Sequence, residues 1–159
     1  MNGGDFADLL RGLSIFLDVE VDGKAALIDA LAARAAPIAG VAAEVIAAHV
    51  HAREALGSTG FGQGAAIPHG RIPGLEAVTL VVMRLARPID YGALDDEPVD
   101  VAVLLLSPEE AGANHLKALA RVSRALRNPQ ILSAMRAAET ADELFEAIDR
   151  PALRATRAA

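Results

Sequence analysis

Residues 99–106 read Val-Asp-Val-Ala-Val-Leu-Leu-Leu, an almost unbroken apolar run of strand length. Such a run marks a strand buried on both faces, and that requires packed layers on either side of the sheet that holds it. A second strand is expected at Val78–Leu85, ended by Arg87-Pro88, and a third where Ile15, Leu17, Val19 and Val21 alternate with Asp18 and Glu20. Between and around these, helical spacing is expected over Asp5–Leu13, Lys24–Ala36 with Asp22 as its cap, and Val41–Leu56, with Pro37 and Gly40 separating the last two. A further helix is expected over Asn114–Arg127 with Leu116, Leu119, Ala120, Ser123 and Leu126 inward, then a shorter one over Gln130–Ala137. Thr140 with Glu143 forms a capping-box pattern for a last helix through Ile148. Strands interspersed with helices give an α/β fold class: a single-domain layered sandwich, its mixed sheet flanked by helices on both faces.

At 159 residues the chain fits one domain, expected over 1–150, with an Ala- and Arg-rich tail over 151–159. The absence of cysteine excludes a disulfide framework, thiol catalysis and thiolate metal sites. A net charge of −6 and only five aromatic residues argue against nucleic-acid binding by phosphate neutralisation or base stacking. No apolar run approaches the roughly 20 residues that span a bilayer, and Met1–Asp5 is not a basic segment followed by an apolar one. The expectation is a cytoplasmic protein.

The chemistry concentrates in Gly57-Ser58-Thr59-Gly60-Phe61-Gly62-Gln63-Gly64-Ala65-Ala66-Ile67-Pro68-His69-Gly70. Five glycines in fourteen positions allow left-handed backbone angles and leave amides uncovered by side chains. Successive bare amides form concavities for anions. Ala65–Pro68 reads as a short strand, and Pro68 stiffens the chain just before the imidazole. Arg71-Ile72-Pro73-Gly74 reads as a turn. The competing reading is a glycine-rich surface loop that happens to hold a histidine, but the whole constellation favours an aimed nitrogen nucleophile beside an anion site.

His115 follows Asn114, expected to be a helix N-cap, where dipole and free amides favour negative charge. It is either a donor to a phosphoryl oxygen or a surface histidine on a first helical turn. Arg53, four residues before Gly57, either reaches an anion in the loop or complements the C-terminus of its helix. Ser58 and Thr59 offer hydroxyls to a phosphoryl oxygen or, as is commoner, to their own backbone; Gly60 and Gly62 offer amides. His49 and His51 lie on different helix faces and make no metal pair. The glycine run lacks the Gly-Lys-Ser/Thr ending of a nucleotide loop and misses Gly-x-Gly-x-x-Gly spacing by one position. No serine stands on a nucleophile elbow, and no metal site is expected.

The stretch Arg53 to Gly70 resembles the active-site signature of the fructose/mannitol-type (type-2) enzyme IIA domains of the bacterial phosphoenolpyruvate-dependent phosphotransferase system. Arg87-Pro88-Ile89 through Asp95–Asp100 to Leu104-Leu105, Asn114–Leu119, and Arg136–Leu144 carry the likeness onward, over about residues 10–148. The chain most resembles the nitrogen-regulatory branch. The resemblance implies that His69 accepts a phosphoryl group, on Nε2, from a small HPr-like carrier of that branch, with His115 and Arg53 in support and no cofactor. It implies a regulatory role set by phosphorylation state, with partners such as potassium transport or sensor kinases. Two alternatives stay open: a sugar-specific domain feeding a permease, and a binding module that is never phosphorylated. Gln63 and Phe61 depart from the family's expected asparagine and isoleucine. Phe61 and Leu75 are candidates for an apolar rim where the carrier docks.

Overall fold

A computed structural model describes residues 14–149. The expected helix at Asp5–Leu13 and the tail from Pro151 lie outside the described residues. The elements run β1 (Ile15–Val19), α1 (Lys24–Ala39), α2 (Ala43–Glu54), β2 (Gly60–Gly62), β3 (Ala65–Ala66), β4 (His69–Ile72), β5 (Thr79–Ile89), β6 (Val99–Pro108), α3 (Ala113–Leu126), α4 (Pro129–Ala137) and α5 (Ala141–Asp149). They form a mixed six-stranded sheet in the order β1-β5-β6-β3-β2, with β4 also paired to β6.

The apolar run 99–106 becomes β6, at the centre of this sheet. Period-two alternation divides its side chains between two cores. Val101, Val103 and Leu105 pack with Ala118, Val122, Leu132, Met135 and Leu144 of α3, α4 and α5. Ala102, Leu104 and Leu106 pack with Leu27, Leu31, Ile46 and Val50 of α1 and α2. Helices therefore cover both sheet faces, as the apolar run requires. Each fully buried aliphatic side chain contributes about 1.5–3 kcal/mol, so β6 alone anchors both layers.

Several local expectations are corrected. Strand β5 continues through Pro88 to Ile89. Its register against β6 shifts between Arg84 and Ile89, and Ala86 to Pro88 are exposed, so proline's missing N–H falls at an irregularity where it is tolerated. Helix α1 continues past Pro37 and stops at Gly40, whose φ of +70° permits a left-handed cap with its N–H on Ala36 O at 2.9 Å. Ile38 and Ala39 pack on the core beneath the extra turn. Neither Asp22 nor Asn114 is a cap: those positions fall to Gly23 and Gly112, without side-chain cap bonds. In α2, Ile46 and Val50 face inward but Val45 is exposed.

Helix α3 meets its expected inward face in part: Leu126 is buried and Leu119 packs against the core, but Leu116 and Ala120 are exposed. Its buried residues are His115, Ala118, Val122, Ala125 and Leu126, while Leu116 is 62 % exposed. Small side chains let the helix lie close to β6, and a spacing of 3–4 residues fits either choice of face. The signals for α4 and α5 hold. Asn128 Oδ1 accepts from the amides of Gln130 and Ile131. Thr140 Oγ1 accepts from Glu143 N at 3.1 Å, and Glu143 returns a carboxylate to the amide of Glu139.

Candidate active site

Strands β3 and β4 lie in succession along the same edge of β6. Ala65 and Ala66 pair parallel with Val101 and Ala102, and His69 to Ile72 pair with Leu105 to Pro108. The expected strand at Ala65–Pro68 thus ends at Ala66, and His69 opens a second strand that takes in Arg71 and Ile72, which the sequence suggested were part of a turn. Between the two, Pro68 O accepts from Leu105 N at 3.0 Å and Ile67 N donates to Thr59 O at 3.1 Å. The two residues before the imidazole are therefore pinned on one side to the sheet and on the other to the glycine-rich loop.

His69 is buried, with 9 % of its surface exposed. Its Nδ1 lies 2.8 Å from Ile67 O. A carbonyl only accepts, so Nδ1 carries the proton and Nε2 keeps its lone pair. Burial pushes its pKa below the ordinary 6.5, against the Ile67 hydrogen bond, and the positive field of Arg53 adds to the depression. The ring is neutral near pH 7, as a nucleophile must be.

By register, His69 lies beside Leu105 on the face covered by α3. There it meets His115, with ring centroids 5.6 Å apart and planes tilted by 48°. His115 is buried, its Nδ1 2.7 Å from Ser107 Oγ. Its pKa is also depressed, by burial first and then by His69 and Arg71. Arg53 stands in the last turn of α2, where its Nη1 donates to Gly57 O at 3.1 Å. That bond places a cation in the last turn of the helix and at the start of the loop.

The loop's polar groups are more occupied than their glycine content suggests. Thr59 Oγ1 donates to Glu54 Oε1 at 2.6 Å, and its amide donates to Glu54 Oε2 at 2.9 Å. Ser58 Oγ accepts from Gly60 N at 3.1 Å, the local turn bond that such residues commonly make. The amides of Gly57 and Gln63 donate to Glu54 O and Asp95 Oδ2. Gly60 is required by contact: a Cβ there would stand 2.9 Å from Ala93 Cβ and from Tyr91 Cδ2. Gly62 holds a φ of +131° beside Asp95. These residues shape and brace the wall of the site.

Glu54 is the hub of that brace. Its buried carboxylate also accepts from Lys24 Nζ at 3.0 Å and from Tyr91 Oη at 3.1 Å, and Tyr91 Oη is 2.9 Å from Thr59 Oγ1. Burial alone raises the Glu54 pKa, but the two Thr59 bonds and Lys24 outweigh it and hold the group below its ordinary 4.5. Burial pushes the Tyr91 phenol up, so it stays a donor. Sequence reasoning passed over Glu54, Tyr91, Ser107 and Arg71. The signal for Tyr91 was its being the chain's one tyrosine among so few aromatics.

Leu75 is buried and cannot form a docking rim, and Phe61 is half-buried against the α3–α5 core. Exposed leucines occupy other places on the site's own elements. Leu56 follows α2, Leu94 donates its amide to Gly60 O at 2.7 Å, and Leu116 follows His115. Concavities at α4–α5 and around Arg136 and Asp100 are lined by neither histidine. Among the described residues no group of three or more histidines and carboxylates could hold a metal, and no helix is long and apolar enough to cross a membrane.

Residues 8–150 match the family model described as phosphoenolpyruvate-dependent sugar phosphotransferase system, EIIA 2. A nitrogen regulatory protein of Bradyrhizobium diazoefficiens is 41% identical over 144 residues, covering 91% of this chain and 94% of its own. The crystal structure of nitrogen regulatory protein IIA-Ntr from Neisseria meningitidis superposes with a TM-score of 0.85 at 31% identity, covering 90% of this chain and 98% of that one. IIA mannitol from Escherichia coli shares the fold, with a TM-score of 0.75 at 18% identity over 87% of this chain and 98% of its own.

Proposed function

The chain belongs to the EIIA 2 family of the phosphoenolpyruvate-dependent phosphotransferase system, and from that premise we propose that it is a phosphohistidine carrier of a nitrogen-type branch. His69 accepts a phosphoryl group from an HPr-like carrier protein, and the phosphorylation state then governs binding of regulatory targets such as potassium transport or sensor kinases in the cytoplasm. The observation that carries this reading is the His69 ring itself: Nδ1–H fixed on Ile67 O at 2.8 Å, Nε2 unprotonated, and a second imidazole alongside.

In the transfer, the Nε2 lone pair of His69 attacks the phosphorus held on the carrier's histidine. The old P–N bond breaks, its electron pair returning to the carrier's ring nitrogen. The protein's contribution is mostly positioning and charge stabilisation. The arriving group brings a charge of about −1.5 to −2 by analogy with other phosphorylated side chains. His115 donates to one of its oxygens, and Arg53 supplies fixed positive charge. Thr59 and Gly60 act through the loop's shape, since the Thr59 hydroxyl and the Gly60 amide already have internal acceptors, and Gly62 acts with them through its φ of +131°; Ser58 Oγ accepts from the Gly60 amide and keeps its own proton to donate to a phosphoryl oxygen. The exposed Leu56, Leu94 and Leu116 give a carrier an apolar rim to dock on. The regulatory reading is favoured over a sugar-specific one because the match to a nitrogen regulatory protein runs almost the full length of both chains.

Mixing the protein with phosphorylated carrier and measuring acid-labile phosphate tests the proposal. Wild type takes up one equivalent and His69→Ala none, while His115→Ala slows uptake by about a hundredfold, the scale of one lost transition-state donor. Labelling of His69→Ala at the wild-type level would remove the assignment.

A further inference from the structure

We propose that Ser107 is a positioning residue that sets the tautomer of His115. It does so by donating its hydroxyl proton to Nδ1, which leaves the imidazole proton on Nε2, the nitrogen available to a phosphoryl oxygen. The inference rests on the reading of His69 as the acceptor.

Ser107 lies near the end of β6, two residues after Leu105 and on the same sheet face, paired in register with Arg71. It has no exposed surface, and its Oγ sits 2.7 Å from His115 Nδ1. A buried hydroxyl needs an acceptor for its proton, and an unprotonated imidazole nitrogen at that distance is one. His115 can serve because it is neutral: burial, His69 and Arg71 all oppose its charging, as does the positive end of α3, whose first turn it occupies. A neutral ring has one proton, so filling Nδ1 from outside places that proton on Nε2.

The two histidines then form a matched pair. His69 is locked with its proton on Nδ1 by Ile67 O and presents a lone pair at Nε2. His115 is locked the opposite way and presents a donor. When the P–N bond forms at His69 Nε2 and the carrier's bond breaks, no proton need leave His115. Its N–H is already directed outward from Ser107 and takes up a phosphoryl oxygen. With the other tautomer, His115 would offer a lone pair to an anion and repel it.

The test combines a spectroscopic readout with rates. Long-range proton–nitrogen NMR of the unphosphorylated wild-type protein near neutral pH should show His69 as the Nδ1–H tautomer and His115 as the Nε2–H tautomer. In Ser107→Ala the His115 signals should move toward a mixture of tautomers. Phosphoryl uptake from the carrier should slow by about tenfold while still reaching one equivalent, by analogy with hydrogen-bond partners of metal-bound histidines. Ser107→Thr, which keeps the hydroxyl, should restore the tautomer and most of the rate. A His115 ring protonated on Nδ1 in the wild type overturns the proposal without any variant having to fold. So does a folded Ser107→Ala protein with wild-type rate. Loss of labelling in the wild type, or its persistence in His69→Ala, strikes the acceptor assignment instead.

Discussion

The carboxylate of Glu54 and the imidazole of His69 stand at opposite ends of one glycine-rich loop, and their hydrogen bonding differs in kind. Both Glu54 oxygens are filled, by Lys24, Tyr91 and the hydroxyl and amide of Thr59. His69 and His115 each have one ring nitrogen engaged, by Ile67 O and Ser107 Oγ. A filled cluster makes a rigid joint between α1, α2, the loop and the β5–β6 connection. A half-filled pair keeps a reactive nitrogen available. The difference teaches that the loop's stability and its chemistry reside in separate residues, so they can be disturbed separately.

The sharpest way to break that separation is Glu54→Leu. Four donors would lose their buried acceptor, and removal of one partner from such a network is costly. A loss of about 3 kcal/mol is expected in urea unfolding, discounted from a fully buried pair because Lys24 is about a third exposed. Phosphoryl uptake by the fraction that stays folded should fall far less than in His115→Ala. Uptake reduced as much as in that variant would mean that the brace and the chemistry are one unit.

Gly60→Ala comes next. Its Cβ would press on Ala93 and the Tyr91 ring at 2.9 Å, and Ala93 Cα at 3.0 Å is backbone that yields poorly. Overpacking of this kind costs about 2 kcal/mol. If Gly60 served chiefly to expose an amide to phosphate, stability would be nearly unchanged and uptake would fall instead. The two measurements assign the glycine to one cluster or the other.

How much of this was legible in the sequence follows from the range of each interaction. The layers were legible because β6 is apolar without alternation, a local signal. The loop and His69 were legible because glycine, proline and histidine cluster within fourteen residues and resemble a family signature. Arg53 was legible for the same reason, four residues from its carbonyl partner. Tyr91 was not: it reaches Glu54 across 37 positions, and only the folded sheet brings them together. Ser107 stands near the end of a strand whose other residues, Asp100 apart, are apolar, so its hydroxyl looked incidental until α3 set His115 against it. The face of α3 was read in part: Leu126 lies inward as expected, but a spacing of three to four residues also fits the neighbouring stripe, and close approach to β6 favours Ala118 and Ala125 over Leu116 and Ala120. Part of the expected cradle of bare amides is taken up internally, because glycine content does not reveal where Asp95, Glu54 and Ser58 place their oxygens.

The smallest expected effect is a difference between two acid limbs of stability. His69 and His115 have native pKa values below their ordinary 6.5. The unfolded chain therefore binds their protons first. Stability is full above 6.5 and falls as pH drops through 6.5 toward the native values, by no more than about 1.4 kcal/mol per pH unit for each ring. Glu54 is depressed below 4.5, so its contribution is full above 4.5 and is lost as pH falls through the native value beneath it. Urea unfolding between pH 7.5 and 3 should show two descents, the upper one shallower in His69→Asn and the lower one shallower in Glu54→Leu. Phosphoryl uptake should keep its rate at pH 6.5, where a solvated imidazole is half protonated, and decline only below. A rate already halved at 6.5, with no upper descent in stability, would mean that His69 is solvated and ordinary. The contrast between a closed carboxylate cluster and a poised imidazole pair would then rest on Glu54 alone.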